Sequence, residues 1–277
     1  MNGILDSLFS QLEQRIKVSD GDYIKDGILY CGKCNTKKQV RIELNGKIWT
    51  PACLCKCETE KRDAEEAKRR KEEELERIKA LRRTGFSDEE MQNWTFEKDD
   101  RKNEKISNVA RNYVKNFPEM RANGKGLLLY GPVGTGKTFI SACIANELID
   151  QGYACMVTNF ARLINTLQGM FEGKQEYIDG LNRVTLLVID DLASERDTEY
   201  VNETVQSIID ARYRSGKPLI VTTNLTAEEL KRPADIRKQR IYSRLLEMCI
   251  PVQVEGKDRR KEKLKDDYKR FEEILGL

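Results

Sequence analysis

Between Leu127 and Ala145 the chain reads Leu127-Leu-Leu-Tyr130, then Gly131-Pro-Val-Gly134-Thr-Gly136-Lys137-Thr138, then Phe139-Ile-Ser-Ala-Cys-Ile-Ala. Glycines at this spacing let consecutive backbone N–H groups turn toward phosphate oxygens, and a helix opening at the end of the loop adds its positive terminus. A strand before the loop and a helix after it are the setting this pattern requires. The candidate phosphate cradle is therefore Gly131, Pro132, Val133, Gly134, Thr135, Gly136, Lys137, Thr138 and Phe139. Lys137 is placed to reach the β- and γ-phosphates, and the Thr138 hydroxyl to ligate Mg2+.

Leu186-Leu-Val-Ile-Asp190-Asp191 is an apolar run ending in paired carboxylates. Asp190 is placed to hold magnesium through water and Asp191 to orient or activate an attacking water. Glu195 reads either as a helix-start acid or as a second catalytic carboxylate. Leu219-Ile-Val-Thr-Thr223-Asn224 is a third buried strand with a polar end. Asn224 is positioned to bond the water or the γ-phosphate, or else to cap the helix that Thr226-Ala-Glu-Glu229 opens. Arg240 and Arg244 fall four apart on one helix face, and Arg259-Arg260 follows the turn at Glu255-Gly256. A guanidinium near a γ-phosphate is worth about 10³–10⁵ in rate, so these four arginines are the cationic candidates.

Five of the eight cysteines crowd into residues 31–57, as Cys31-Gly-Lys-Cys34 and Cys53-Leu-Cys55-Lys-Cys57. In a reducing compartment such clustering indicates metal more than disulfides. Four thiolates close a tetrahedral structural zinc site with no open position. Cys31 and Cys34 supply two ligands, and Cys53, Cys55 and Cys57 compete for the other two. A front end this small has little core, and a structural metal supplies the missing folding energy.

The whole chain has 277 residues, 49 basic and 46 acidic, with a net charge of +3 and no histidine. The absence of histidine excludes Ser-His-Asp and Cys-His catalysis and every histidine switch. The start lacks a basic segment followed by a long apolar one, so no secretory signal is expected, and no apolar run approaches the ~20 residues that cross a bilayer. The expected location is cytoplasmic.

These sites need elements to carry them. Short apolar runs at 126–130, 153–158, 186–189, 218–223 and 250–254 alternate with helical patterns, which predicts an α/β domain with a largely parallel sheet. A helix is expected over about 101–117, and Ser87-Asp-Glu-Glu90 has the composition of a helix start. Residues 58–83 hold 19 charged residues in 26, with opposite signs three or four apart, as a solvated helical linker does. Residues 4–16 place Ile4, Leu5, Leu8, Phe9, Leu12 and Ile16 on one helical face, suited to packing on the front domain or docking a partner.

Taken in order, Gly131–Thr138, Leu186–Asp191, Val221–Asn224, Arg240–Leu245 and Arg259–Arg260 resemble the AAA+ ATPases of the DnaC/IstB class, which include bacterial and phage replicative helicase loaders. Trp94-Thr-Phe96 resembles the hydrophobic lead-in to that ATPase core. The resemblance implies a P-loop AAA+ domain at 84–277, a parallel sheet flanked by helices, preceded by a small zinc-binding domain at 1–57 and the charged helical linker at 58–83. It implies that Arg244 is an arginine finger reaching a neighbouring subunit's nucleotide and that Arg260 is a sensor arginine within its own subunit. Arg240 and Arg259 are the alternatives by register. Asn224 resembles the polar sensor residue of this class. Asp191 stands where most AAA+ proteins have glutamate, and its shorter reach suits slow, switch-like hydrolysis. At the Cys-x-Cys-Glu step the resemblance favours Cys55 and Cys57 over Cys53. The implied cofactors are ATP, Mg2+ and Zn2+. The implied partners are a replicative DNA helicase gripped by residues 1–57, single-stranded DNA, and further copies of the chain in a ring or spiral, with no membrane. One rival is an IstB-type transposition helper acting on duplex DNA with a transposase. Another is a small-molecule P-loop kinase, for which no acceptor pocket or lid is evident between Asn224 and Arg259.

Overall fold

A computed structural model describes residues 16–44, 46–193, 198–233 and 235–276. Glu195 and, Ile16 apart, the helix expected over 4–16 lie outside the described residues. The chain divides into two compact units, 1–75 and 76–277, with the division inside helix α1 (Lys56–Gly85).

The first unit holds two antiparallel hairpins. β1 (Tyr23–Lys25) pairs with β2 (Ile28–Tyr30), and β3 (Ile42–Leu44) with β4 (Lys47–Trp49). Among its described residues the buried apolar content is small, with Ile28 and Leu29 beside Cys31 and Cys55. A buried ion pair adds to it. The Lys38 ammonium donates to Asp22 at 2.7 Å, and Asp22 also accepts from the Ser19 and Gly32 amides at 2.7 and 3.1 Å. The bond from Lys38 holds the Asp22 carboxyl down at about 2. Asp22 thereby fastens its own turn to the Cys31–Cys34 knuckle.

Along α1 the charges pair with one another: Lys61 with Glu65, Lys68 with Glu72, Arg69 with Glu73 and Lys79 with Glu76. Exposed pairs of this kind contribute only about 0.3–0.5 kcal/mol each. The last turns differ from the solvated linker expected from the charge run. Ile78 and Leu81 pack on the core of the second unit, Arg77 donates to the Gly152 carbonyl, and Arg82 pairs with Asp150. Two apolar residues a turn apart are enough to bind that end of the helix to the core.

In the second unit the lead-in forms a 3₁₀ turn at Glu89–Asn93, shorter than the expected helix, with the Asp88 carboxylate accepting from the Glu90 amide at 3.0 Å. Then come α2 (Glu104–Lys115), capped by Asn103, and α3 (Phe117–Ala122), where Pro118 ends the longer helix expected here. β5 (Gly126–Tyr130), α4 (Lys137–Asp150), β6 (Cys155–Asn159), α5 (Phe160–Gly169), α6 (Lys174–Leu181) and β7 (Leu186–Leu192) follow. The chain continues through α7 (Glu199–Ser215), β8 (Leu219–Thr223), α8 (Ala227–Lys231), α9 (Ile236–Met248), β9 (Cys249–Gln253) and α10 (Arg259–Leu275). The five strands form one parallel sheet in the order β6-β7-β8-β5-β9. Their near-continuous apolar sequences are what a sheet covered on both faces demands. One layer of core centres on α2 and α4, the other on α5, α7 and α9.

At the end of the sheet opposite the loop, Arg212 is wholly buried. Its guanidinium donates to the carbonyls of Val184, Thr185 and Pro218 at 3.2, 3.0 and 3.2 Å. Burial pushes its pKa down to about 10. Among the described residues no helix is long and apolar enough to cross a membrane.

Candidate phosphate cleft and cysteine cluster

The loop between β5 and α4 closes as its glycines allow. Gly131 has φ +140°, and a Cβ there would stand 2.4 Å from the Val254 carbonyl oxygen. Gly134 has φ +76°, and a Cβ there would collide with Asp258. The start of α10 is stitched to this loop, with the Arg259 amide donating to the Gly134 carbonyl at 3.0 Å.

Around the loop lies a cleft of about 630 Å³, within the ~300–1,000 Å³ usual for small-molecule sites. Its phosphate end is polar. The Lys137 ammonium donates to the Gly131 and Pro132 carbonyls at 2.8 and 2.7 Å and to Asn224 Oδ1 at 2.8 Å. Burial pushes this ammonium below its usual pKa. The Thr138 hydroxyl donates to the Asp190 carboxylate at 2.9 and 3.0 Å. Burial raises the Asp190 carboxyl above the ordinary range, opposed by its bonds from Thr222 and Thr138. Asp191 is exposed in the cleft, its backbone left-handed at φ +58°.

The opposite wall is apolar, built from Met91, Trp94, Val133 and Phe139. Asn146 on α4 fixes it from beneath, its amide donating to the Met91 and Trp94 carbonyls at 2.8 and 2.9 Å. Trp94 then lies 5.9 Å from Phe139, ring to ring.

The structure gathers most of the residues singled out in the sequence. Val133 through Phe139, Asp190, Asp191, Asn224, Arg259 and Arg260 all line the cleft. Asn224 is not the helix cap, because Thr226 caps α8 in a reciprocal box with Glu229. Arg259 pairs with Asp100 at 3.1 Å, whereas Arg260 is exposed and its charge depresses Lys137 further. Arg244 is placed elsewhere, paired with Asp210 of α7 and with its guanidinium 5.8 Å from the Tyr213 ring centre. Arg240 is exposed on the same helix, away from the cleft. Thr222, Met91 and Asn146 were not singled out. For Thr222 the signal was a hydroxyl inside an apolar strand, and for the other two there was none.

In the first unit the sulfurs of Cys31, Cys34, Cys55 and Cys57 all lie within 4.8 Å of one another. Cys31 and Cys57 are 3.7 Å apart and Cys55 and Cys57 3.3 Å. Ligands ~2.3 Å from a tetrahedral zinc stand about 3.8 Å apart, so the donor set and its convergence suit that ion. Thr36 bonds the Cys34 sulfur at 3.1 Å. Cys53 stays outside the group, its thiol donating to the Lys37 carbonyl at 3.5 Å.

A parallel sheet in the order β6-β7-β8-β5-β9 with this loop, carboxylate pair and polar strand end defines a P-loop AAA+ ATP-binding domain. The chain belongs to the IstB-like ATP binding protein family, whose model matches residues 56–266, and so to the DnaC/IstB class of AAA+ proteins. It is 28% identical over 160 residues to the replicative helicase loader DnaI of Bacillus subtilis, covering 53% of this chain and 51% of that one. It is 29% identical over 125 residues to the replicative helicase loader DnaC of Escherichia coli, covering 44% of this chain and 50% of that one. The chain thus spans about half the length of the curated relatives it matches. A crystal structure of DnaI shares the fold, with a TM-score of 0.53 and 23% identity over 65% of this chain and 98% of that one.

Proposed function

We propose that this chain is an ATP-dependent loader that grips a replicative DNA helicase and places it on single-stranded DNA. The observation that carries the reading is the division of the arginines. The cleft is lined by Lys137, Thr138, Asp190, Asp191, Asn224, Arg259 and Arg260, while Arg244 stands outside it on α9. A finger so placed serves a neighbour's nucleotide, and hydrolysis then depends on assembly. Two relatives named as replicative helicase loaders support the same reading. Cys31, Cys34 and Cys55 precede the family match, which begins at residue 56, and a front domain beyond the ATPase core fits helicase gripping better than transposition.

In this account the loop amides and Lys137 bind the phosphates, and Thr138 and Asp190 would hold magnesium, which would supply positive charge against the phosphate oxygens. Asp191 orients the attacking water, and Asn224 bonds that water or the γ-phosphate. Arg260 answers to the nucleotide from its own subunit. Cys31, Cys34, Cys55 and Cys57 would hold a structural zinc, which would supply folding energy to the front unit. The α5–α6 connection supports a single-stranded DNA contact, because Phe171 is fully exposed there and Lys174 follows it at the start of α6. Aromatic faces beside cations stack unpaired bases.

Co-purification of the chain with candidate replicative helicases, with and without ATP, tests the reading. Capture that depends on residues 1–57 is the expected result. Capture of a transposase on duplex DNA instead would assign the chain to the IstB type.

A further inference from the structure

One hydroxyl joins the two acids at the end of β7. Thr222 lies in β8 and is wholly buried. Its hydroxyl donates to Asp190 Oδ1 and accepts from the Asp191 amide, the latter at 3.0 Å. A hydroxyl has one proton and two lone pairs, so this one is used in both directions at once. The pairing of β7 with β8 shifts register between Ile189 and Leu192 at this point, and Asp191 takes φ +58°. A left-handed residue other than glycine persists where its surroundings over-determine it. Here the determinant is visible, because the Asp191 amide is bonded to a side chain instead of continuing the backbone ladder.

We infer that Thr222 is a positioning residue that gives the two neighbouring carboxylates different work. By donating to Asp190 it holds that carboxylate toward Thr138 on the magnesium side of the cleft. By accepting from the Asp191 amide it keeps the bulge that turns Asp191 outward into the cleft. In a regular strand two consecutive side chains would point to opposite faces of the sheet, and one of these acids would be buried away from the nucleotide. Thr222 touches neither substrate nor metal in this account. It acts through the two acids, and the inference rests on the reading that Asp190 holds magnesium.

The test compares Thr222→Val, which keeps the shape and removes the hydroxyl, with Thr222→Ser, which restores it. A fluorescent ATP analogue is titrated with and without magnesium, and turnover is measured across magnesium concentrations. For Thr222→Val the expected result is magnesium-free affinity within about twofold of the parent, half-saturating magnesium raised about tenfold, and kcat lowered about tenfold or more with KM little changed. Thr222→Ser should return both quantities to within about threefold of the parent. If Thr222→Val does not melt cooperatively, Thr222→Ala takes its place with the same expectations. Parental magnesium dependence and kcat in the hydroxyl-free variant overturn the inference, as does a serine variant no better than valine. A parent whose binding ignores magnesium overturns the reading of Asp190 instead, so the two failures are told apart.

Discussion

Lys137 and Asn224 stand 87 residues apart in sequence, yet the lysine ammonium meets the asparagine oxygen at 2.8 Å. One opens the helix after β5 and the other follows β8, the neighbouring strand in the sheet. Strand order alone brings them together. In the proposed reading the contact joins the lysine that would bind phosphate to the asparagine that would sense the terminal one.

Burial lowers the Lys137 pKa, and this predicts the alkaline limit of nucleotide binding. The ammonium must be charged to hold phosphate, and a lowered pKa means the charge is lost at lower pH than in a free lysine. The affinity of the free protein for ATP should therefore fall as pH rises through a value below 10.5, the ordinary lysine pKa. Lys137→Ala should abolish binding at every pH. Binding titrations from pH 7 upward check this, and a flat profile to pH 10.5 contradicts it.

Arg244, paired with Asp210 and not part of the lining of its own cleft, predicts complementation between subunits. Arg244→Ala should bind ATP normally and lose assembly-stimulated hydrolysis by about 10³-fold, the lower end for an arginine finger. Asp191→Asn should also bind and fail to hydrolyse. Mixing the two variants should restore part of the rate, since some junctions then pair an intact acid with an intact arginine. ATPase assays on mixtures give the answer, and a mixture no faster than its components contradicts a finger acting in trans.

Much of this site was legible because its chemistry is contiguous in sequence. The loop from Gly131 to Thr138 brings its strand and helix with it, and Asp190 and Asn224 announce themselves as polar ends of apolar runs. The apolar wall was not legible, because Met91 and Trp94 are held by Asn146, more than fifty residues away and indistinguishable from any polar residue on a helix. The spacing of Cys53, Cys55 and Cys57 left three ways to fill two places. The structure brings Cys55 and Cys57 together with Cys31 and Cys34 and holds Cys53 apart, its amide bonded to the Lys38 carbonyl and its thiol to that of Lys37. Arg212 reads as a surface arginine near a helix end. Its burial follows only from the way α7 returns under β7 and β8.

Zinc removal should act on the first unit. Metal analysis should find about one zinc per chain, the content of a single tetrahedral site. Cys53→Ser should retain it, while Cys57→Ser should lose it and unfold residues 16–57 as seen by amide exchange. Zinc lost from the Cys53 variant and kept by the Cys57 variant would reverse the assignment.

Arg212→Met should destabilise the second unit by about 2–4 kcal/mol, because it leaves the carbonyls of Val184, Thr185 and Pro218 buried without donors. Urea denaturation followed by circular dichroism measures the loss. A variant as stable as the parent would show that water or backbone shifts satisfy those carbonyls.

The central claim is that ATP, bound at one subunit and completed by the next, controls assembly on the helicase. Mass photometry of the chain mixed with the replicative helicase of its own cell tests it directly, with ATP, with ADP and with Lys137→Ala. The account predicts several copies of the chain per helicase in ATP, and loss of those copies in ADP and in the variant. A chain that stays single and apart from the helicase in every nucleotide state contradicts it.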